Sequence, residues 1–432
     1  MVSAPRQFAA RFLNDQNRPG DFAENRLERD NGFLALQPAD RRLAQELILG
    51  VLRWQATLDW LVAQKTAGRA QKPKLQTLLR LGLYQLFWLD RVPDYAAVND
   101  TVTLARQLGF GPQSGFVNAL LRGYARNREA TRQLIKDLRR SQPAIGWSFP
   151  DWLIKRWANS METEELARFC QIQNTPPPTY ARVNTLRFST RDLIGIWIDE
   201  GVEFIECSLD WIEPGIVFEL ASHPPLRTLP SFQQGAFYIQ DPSTLLAVRE
   251  LDPQPGDVVL DLCAAPGGKT TYAAQRMRNT GKLLAHDATA SRLPMLRENC
   301  SRLGLDCVTV LESLPEESPI MDRVLVDAPC SNTGVLRRRV ESRWRLDPVE
   351  LPSLAGTQLK LLDQANRRLK PGGRLVYSTC SMEPEENQEV IKRFLETHTG
   401  YTLEADRRLH PLREGVDGAY VARLRKLETC GS

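Results

Sequence analysis

Two cysteines define the chemistry open to this sequence. Cys330 closes the tetrapeptide Asp327-Ala328-Pro329-Cys330, and Cys380 sits in Ser378-Thr379-Cys380-Ser381. Each follows a short apolar run that predicts a β-strand, Arg323-Val324-Leu325-Val326 for the first and Gly373-Arg374-Leu375-Val376-Tyr377 for the second. In a doubly wound α/β sheet the carboxyl ends of the strands line the ligand crevice. Two strand ends would therefore deliver an acid and two thiols to one cleft. A deprotonated thiol is a strong nucleophile, able to attack an electron-poor ring carbon as readily as a carbonyl. The pattern points to covalent catalysis.

A third strand end supplies a loop suited to a cofactor. Val258-Val259-Leu260 reads as a strand closed by Asp261, followed by Leu262-Cys263-Ala264-Ala265-Pro266-Gly267-Gly268-Lys269. Pro266-Gly267-Gly268 cannot continue a strand and lets the backbone turn tightly towards a ligand. The helix predicted from Thr270 offers free N–H groups there. Asp287, 26 residues after Asp261, ends the next strand, Leu283-Leu284-Ala285-His286, where an adenosine ribose would be gripped. Gly267-Gly268-Lys269-Thr270 lacks the four-residue gap between glycines of a phosphate-binding loop, which excludes a nucleoside triphosphatase of that type.

The elements that must position these residues form a chain of 432 residues, long enough for two or three domains. Its 42% hydrophobic and 25% charged content are those of a globular protein with a real core. No apolar run reaches the length of a membrane span, and the opening residues lack a secretory apolar region. Eight cysteines without C-x-x-C spacing and four histidines without ligand spacing argue against a metal site and a disulfide scaffold. Reduced thiols in the cytoplasm are the expectation. Residues 1–140 carry 22 basic against 13 acidic side chains, and the remainder 34 against 39. A basic module joined to a mildly acidic one suggests that the first part meets a polyanion.

Residues 1–140 read as helices throughout. Asp40 is the candidate N-cap of one with Leu43, Leu47 and Val51 on its apolar face. Leu75, Leu78, Leu79, Leu83 and Leu86 mark a second, and Val98, Val102 and Ala105 a third. Residues 141–232 read as a small α+β module with strands near Val202–Ile205 and Ile216–Phe218, and from Gln233 apolar strands alternate with helices. The expected architecture is a helical bundle over 1–140, an α+β module over 141–232 and an α/β domain with a mostly parallel sheet over 233–432. Cys170, Cys207, Cys300 and Cys307 sit in no motif and read as small buried hydrophobes, and the Cys263 thiol reads as loop packing.

The stretch Asp261–Lys269, the Asp327–Cys330 tetrapeptide and Thr379-Cys380-Ser381 together resemble the RNA 5-methylcytosine methyltransferases. Gln240-Asp241-Pro242-Ser243, Lys370-Pro371-Gly372-Gly373, Glu383-Pro384-Glu385-Glu386-Asn387 and Asp417-Gly418-Ala419-Tyr420 extend the likeness, as does Arg182-Val183-Asn184-Thr185 upstream. Val98-Asn99-Asp100 and Gly115–Arg122 look like a NusB-type helical RNA-binding domain. That order of domains resembles the RsmB family (also called Sun or Fmu) of bacterial 16S rRNA methyltransferases. Two positions depart from the family pattern. Glu312 follows the third strand in place of an Asp that contacts adenine, and Arg337-Arg338-Arg339-Val340-Glu341 stands where Arg-Arg-His-Pro-Asp is usual.

The resemblance implies S-adenosylmethionine (SAM) as cofactor, held by Cys263, Ala264, Ala265, Pro266, Gly267, Gly268, Lys269, Asp287 and Asp327. It implies Cys380 as the thiolate that attacks cytosine C6, Cys330 as the group assisting release, and Asp327 as the partner of N3 and N4. Lys269 would neutralise charge near the base or only support the loop. DNA cytosine-5 methyltransferases take their nucleophile from a Pro-Cys pair, which would select Cys330 instead. Arg182, Arg337, Arg338 and Arg339 are the candidate RNA contacts. The expected substrate is 16S rRNA not yet assembled, at a site of the cytosine-967 class, and the expected state a monomer. A tRNA cytosine-5 methyltransferase and a silent rRNA-binding assembly factor are the alternatives.

Overall fold

The computed structural model describes residues 2–15, 22–314 and 320–428. The chain divides into two compact units, Met1–Thr175 with Leu336–Arg345, and Pro176–Val335 with Leu346–Ser432.

The first unit is helical. Pro38–Arg53, Pro73–Trp88 and Asp94–Gln107 carry the three apolar stripes that the sequence predicts, and Ser114–Arg126 adds a fourth, with Leu47, Ile48, Leu78, Leu79, Leu83, Ala105 and Leu121 completely buried. Proline opens two of these helices, where its missing N–H costs no hydrogen bond. Asp40 lies in the first turn of its helix and Gln37 is the cap. The sequence reading grouped residues 141–175 with the α+β module, but they pack on this bundle. Thr57 Oγ1 donates to the Ile145 carbonyl at 2.5 Å, and Trp157 lies edge-on between Phe149 and Phe169, with centroids 5.3 and 4.8 Å away.

Leu336–Arg345 also belongs to this unit. Arg343 is fully buried and anchors it: one guanidinium nitrogen donates to the Ser148 carbonyl at 3.1 Å and to Asn174 Oδ1 at 2.7 Å, the other to the Gln173 carbonyl at 3.1 Å. Its guanidinium stacks on Phe149 at 4.0 Å, a cation–π contact that offsets part of the burial cost.

The second unit opens with a four-stranded antiparallel sheet in the order Glu203–Glu206, Val217–Ser222, Thr179–Val183, Phe237–Ile239. The helix Thr190–Asp199 covers it through Trp197, fully buried among Phe204, Phe218 and Phe237.

Seven strands follow: β1 (Val258–Asp261), β2 (Lys282–His286), β3 (Val308–Leu311), β4 (Met321–Asp327), β5 (Leu369–Thr379), β6 (Tyr401–Leu409) and β7 (Ala419–Lys426). Their order is β6-β7-β5-β4-β1-β2-β3, and only β7 runs against the rest. Both faces are covered, so the central strands are continuous apolar runs, and Leu260, Val324, Val326, Leu375 and Val376 have no exposed surface. The strand order reverses between β1 and β4, where an open α/β sheet binds ligands. Thus the helical bundle and the mostly parallel α/β domain are as the sequence predicts.

Candidate active site

The register of β4 and β5 brings the two cysteines together. Asp327 pairs with Ser378, so the turns that follow leave the sheet side by side. Ala328 N donates to the Ser378 carbonyl at 2.9 Å, and Gly334 N to the Cys380 carbonyl at 2.9 Å. The sulfurs of Cys330 and Cys380 lie 3.2 Å apart, both partly exposed. Gly334 permits this approach: a Cβ there would sit 2.5 Å from the Gly418 carbonyl oxygen and 2.8 Å from that of Cys380. Gly418 N returns a hydrogen bond of 2.9 Å to the Gly334 carbonyl.

Beneath the sulfurs lies a carboxylate to which sequence reasoning gave no role. Glu386 is fully buried and accepts from Ser331 N (2.9 Å), Gln358 Nε2 (3.0 Å), Ser331 Oγ (2.5 Å) and Ser381 Oγ (2.5 Å). The serine after each cysteine is thereby tied to one side chain. Thr379 Oγ1 donates to Asn387 Oδ1 at 2.6 Å, and Asn387 Nδ2 to the Ser381 carbonyl at 2.9 Å, which fixes the Cys380 turn from its other side. The Glu383–Asn387 stretch was the available signal, since its polar residues must be satisfied when buried.

Asp327 and Lys269 form an ion pair of 2.8 Å, and Ser378 Oγ donates to the other Asp327 oxygen at 2.8 Å. Burial works against the Lys269 charge, but the Asp327 carboxylate outweighs it and the ammonium is held above its usual range. The Cys330 thiol is pushed well above its ordinary value, first by its hydrogen bond to Cys380, then by burial. Either sulfur can donate in the S···S contact. Asn332 Oδ1 accepts from Cys380 Sγ at 3.3 Å. Burial pushes the Cys263 thiol up, which suits packing rather than chemistry.

The turn after β1 ends in the helix Gly268–Arg276. Gly267, with φ of 111°, has a left-handed backbone that a side chain would strain. Ala264 N donates to the His286 carbonyl at 2.7 Å and Ala265 N to Asp287 Oδ2 at 3.2 Å, so the acid closing β2 lies against the bare turn. Asp287 also accepts from Thr289 N at 2.9 Å and pairs with Arg292 at 3.3 Å. Burial raises the Asp261 carboxyl to about 7, against the pull of the Thr270 hydroxyl, with Asp327 adding to the rise. A side-chain-free turn, a helix N-terminus and an acid at the second strand end fit an adenosyl amino-acid cofactor.

Three comparisons bear on what this site does. The model of the family described as 16S rRNA methyltransferase RsmB/F matches residues 248–425, that of the NusB family residues 3–126, and that of the RsmF/B-like ferredoxin-like domain residues 149–221. A protein from a Synechocystis strain named probable ribosomal RNA small subunit methyltransferase B is 35% identical over 413 residues, 94% of this chain and 91% of that one. The chain belongs to the RsmB/F family of 16S rRNA methyltransferases. A Bacillus subtilis protein with the same name is 33% identical over 90% of this chain and 92% of its own. The solved structure of a methyltransferase homolog from Pyrococcus horikoshii covers 66% of this chain and 97% of its own at 33% identity, with a TM-score of 0.58. As an RsmB/F member the protein is an S-adenosylmethionine-dependent methyltransferase.

Within this RsmB/F member, Cys330, Cys380, Asp327 and Lys269 converge, and the 263–269 turn with Asp287 lies at the neighbouring strand ends. The candidate RNA arginines lie elsewhere. Arg182 is 1% exposed, donating to Gln240 Oε1 at 2.8 Å, the Gly268 carbonyl at 3.1 Å and Thr271 Oγ1 at 2.9 Å. Its guanidinium also stacks on Tyr272, so it supports the turn after β1 and has no surface to offer a phosphate. Arg337 is buried in the first unit, and Arg339 lies 4.7 Å from the Phe22 ring. Burial raises the Glu24 carboxyl to about 7, while Arg338 and Arg339 pull it back. Of the run, only Arg338 and Arg339 retain partial exposure. Glu312 is exposed and paired with Arg297 at 2.9 Å.

Proposed function

We propose that the protein methylates C5 of one cytosine in 16S rRNA, at a site of the cytosine-967 class, through a transient bond between Cys380 and C6. The observation that carries this reading is the pair of sulfurs 3.2 Å apart, at the ends of adjacent strands beside the Asp327–Lys269 pair. Cytosine C5 is a poor nucleophile. Addition of the Cys380 sulfur at C6 ends the ring's aromaticity and makes C5 an enamine carbon. Asp327, oriented by Ser378 and paired with Lys269, would accept from the N4 amino group and, when it carries a proton, donate it to N3, stabilising the negative charge that develops on the ring in this attack. The base must leave its stack to reach the sulfur, which favours an open loop of RNA. Cys330 would assist the departure of Cys380 once the C5 proton is lost.

Bound SAM supplies the electrophilic methyl group. Asp287 and the bare turn Cys263–Gly268 would hold it, with Arg182 stiffening the turn from behind. Asp287→Ala should weaken SAM binding at least about tenfold, the scale of a lost hydrogen bond to a charged group. Isothermal titration checks this, and unchanged affinity places the cofactor elsewhere.

The basic helices of residues 1–140 would supply RNA affinity, and the substrate would be unassembled rRNA in the cytoplasm, met by a monomer. Bisulfite sequencing of 16S rRNA and tRNA from a strain lacking the gene, with and without its restoration, tests the assignment. One cytosine of 16S rRNA is expected to lose protection; loss only in tRNA overturns the target.

A further inference from the structure

We infer that Cys330 and Cys380 form a reversible oxidation site for peroxides, in which the nucleophile is stored as a disulfide. The inference concerns the same site but stands on its geometry in the free protein. The sulfurs are 3.2 Å apart, and a disulfide needs about 2.05 Å, a closure of roughly an ångström. The frame around them already holds the pair together. Ser331 and Ser381, each directly after a cysteine, donate to the same Glu386 oxygen, and their hydroxyl oxygens lie 3.0 Å apart. Gly334 N bonds the carbonyl of Cys380 itself. Two thiols fixed in this way react as one molecule, with the high effective concentration of an intramolecular step. Both are partly exposed, as a cleft that admits a pyrimidine requires, whereas Cys170, Cys300 and Cys307 are buried in apolar cores.

The two sulfurs are also chemically unequal. Cys380, fixed by Gly334 N on its carbonyl and by Asn332 on its sulfur, is the attacking sulfur, and Cys330, whose thiol its contact with Cys380 and burial push up, is the resolving one. The Cys380 thiolate attacks one oxygen of hydrogen peroxide, giving a sulfenic acid and hydroxide. The Cys330 sulfur then displaces the sulfenic hydroxyl group, and its own proton leaves with that group as water. Peroxide gains two electrons, and the two sulfurs lose them to a new S–S bond. A dithiol reductant reverses the change. Because the sulfenic acid is captured at once, Cys380 is spared the irreversible sulfinic and sulfonic states.

The test treats the full-length reduced protein with hydrogen peroxide and reads intact mass, peptide map and methyl transfer. The expected product is lighter by two hydrogens, with the Cys330 and Cys380 peptides linked. SAM binding is retained, and methyl transfer falls at least about tenfold and returns with dithiothreitol. Cys330→Ser should instead gain oxygen on Cys380. A wild-type protein that gains two oxygens on Cys380 with no linked peptide, or links other cysteines, overturns the inference. Failure of the reduced enzyme to methylate rRNA would count against the proposed function and leave the disulfide result standing.

Discussion

Cys380→Ala is expected to abolish methyl transfer, by at least about 10⁴-fold, and to form no covalent complex with RNA. Cys330→Ala is expected to accumulate a protein–RNA adduct that survives a denaturing gel. The asymmetry follows from the site. The hydrogen bond to Cys380 and burial push the Cys330 thiol well above its ordinary value, which disfavours the thiolate an attack needs. Cys380 lies on the turn fixed from three sides, by Gly334 N on its carbonyl and by Glu386 and Asn387 through Ser381, as a nucleophile that must meet C6 at one angle requires. Without Cys380 no adduct can form. Without Cys330 the adduct forms, but its breakdown lacks a partner 3.2 Å away. The measurement is a gel shift with labelled rRNA and SAM. If the Cys380 variant traps RNA and the Cys330 variant does not, the roles are exchanged.

The catalytic turns were legible because each is a short contiguous stretch: a strand, a break and a reactive residue must follow one another along the chain. The same holds for the cofactor turn, where Pro266, Gly267 and Gly268 announce a backbone that no strand or helix could adopt. What the sequence concealed were contacts between distant segments. Arg182 reads as a cation ahead of a catalytic domain, and only folding reveals that the helix after β1 and Gln240 enclose its guanidinium. The run Arg337–Arg339 reads as a phosphate contact because it directly follows the Asp327–Cys330 loop, and Arg338 and Arg339 keep partial exposure. What the sequence does not show is that Leu336–Arg345 folds into the first unit, where Arg337 is buried and Arg343 has buried carbonyl partners at Ser148 and Gln173. The change of character near Ser141–Pro143 marks a boundary in the sequence, and the ferredoxin-like family model begins nearby at residue 149, while by packing the first unit continues to Thr175, just before Pro176-Pro177-Pro178.

Glu386→Ala is expected to destabilise the second unit by about 3–5 kcal/mol, the range for leaving several buried partners unsatisfied at once. The four groups that donate to this carboxylate come from the Cys330 turn, the Cys380 turn and the helix Leu351–Arg368, and none has solvent to turn to. Alanine would therefore remove the common acceptor that sets the sulfurs side by side. Glu386→Gln is expected to cost less, about 1–2 kcal/mol. Its carbonyl oxygen can accept from Ser331 N and Gln358, and its amide nitrogen can donate to the serine hydroxyls, which rotate to accept. Urea denaturation followed by fluorescence separates the two variants. A packing role alone would let methyl transfer track the folded fraction in both. If the carboxylate instead sets the sulfur spacing, the glutamine variant should stay folded, lose methyl transfer and form the Cys330–Cys380 disulfide more slowly under peroxide. A glutamine variant with wild-type rates for both would show that hydrogen-bond count, and not the carboxylate itself, positions the thiols.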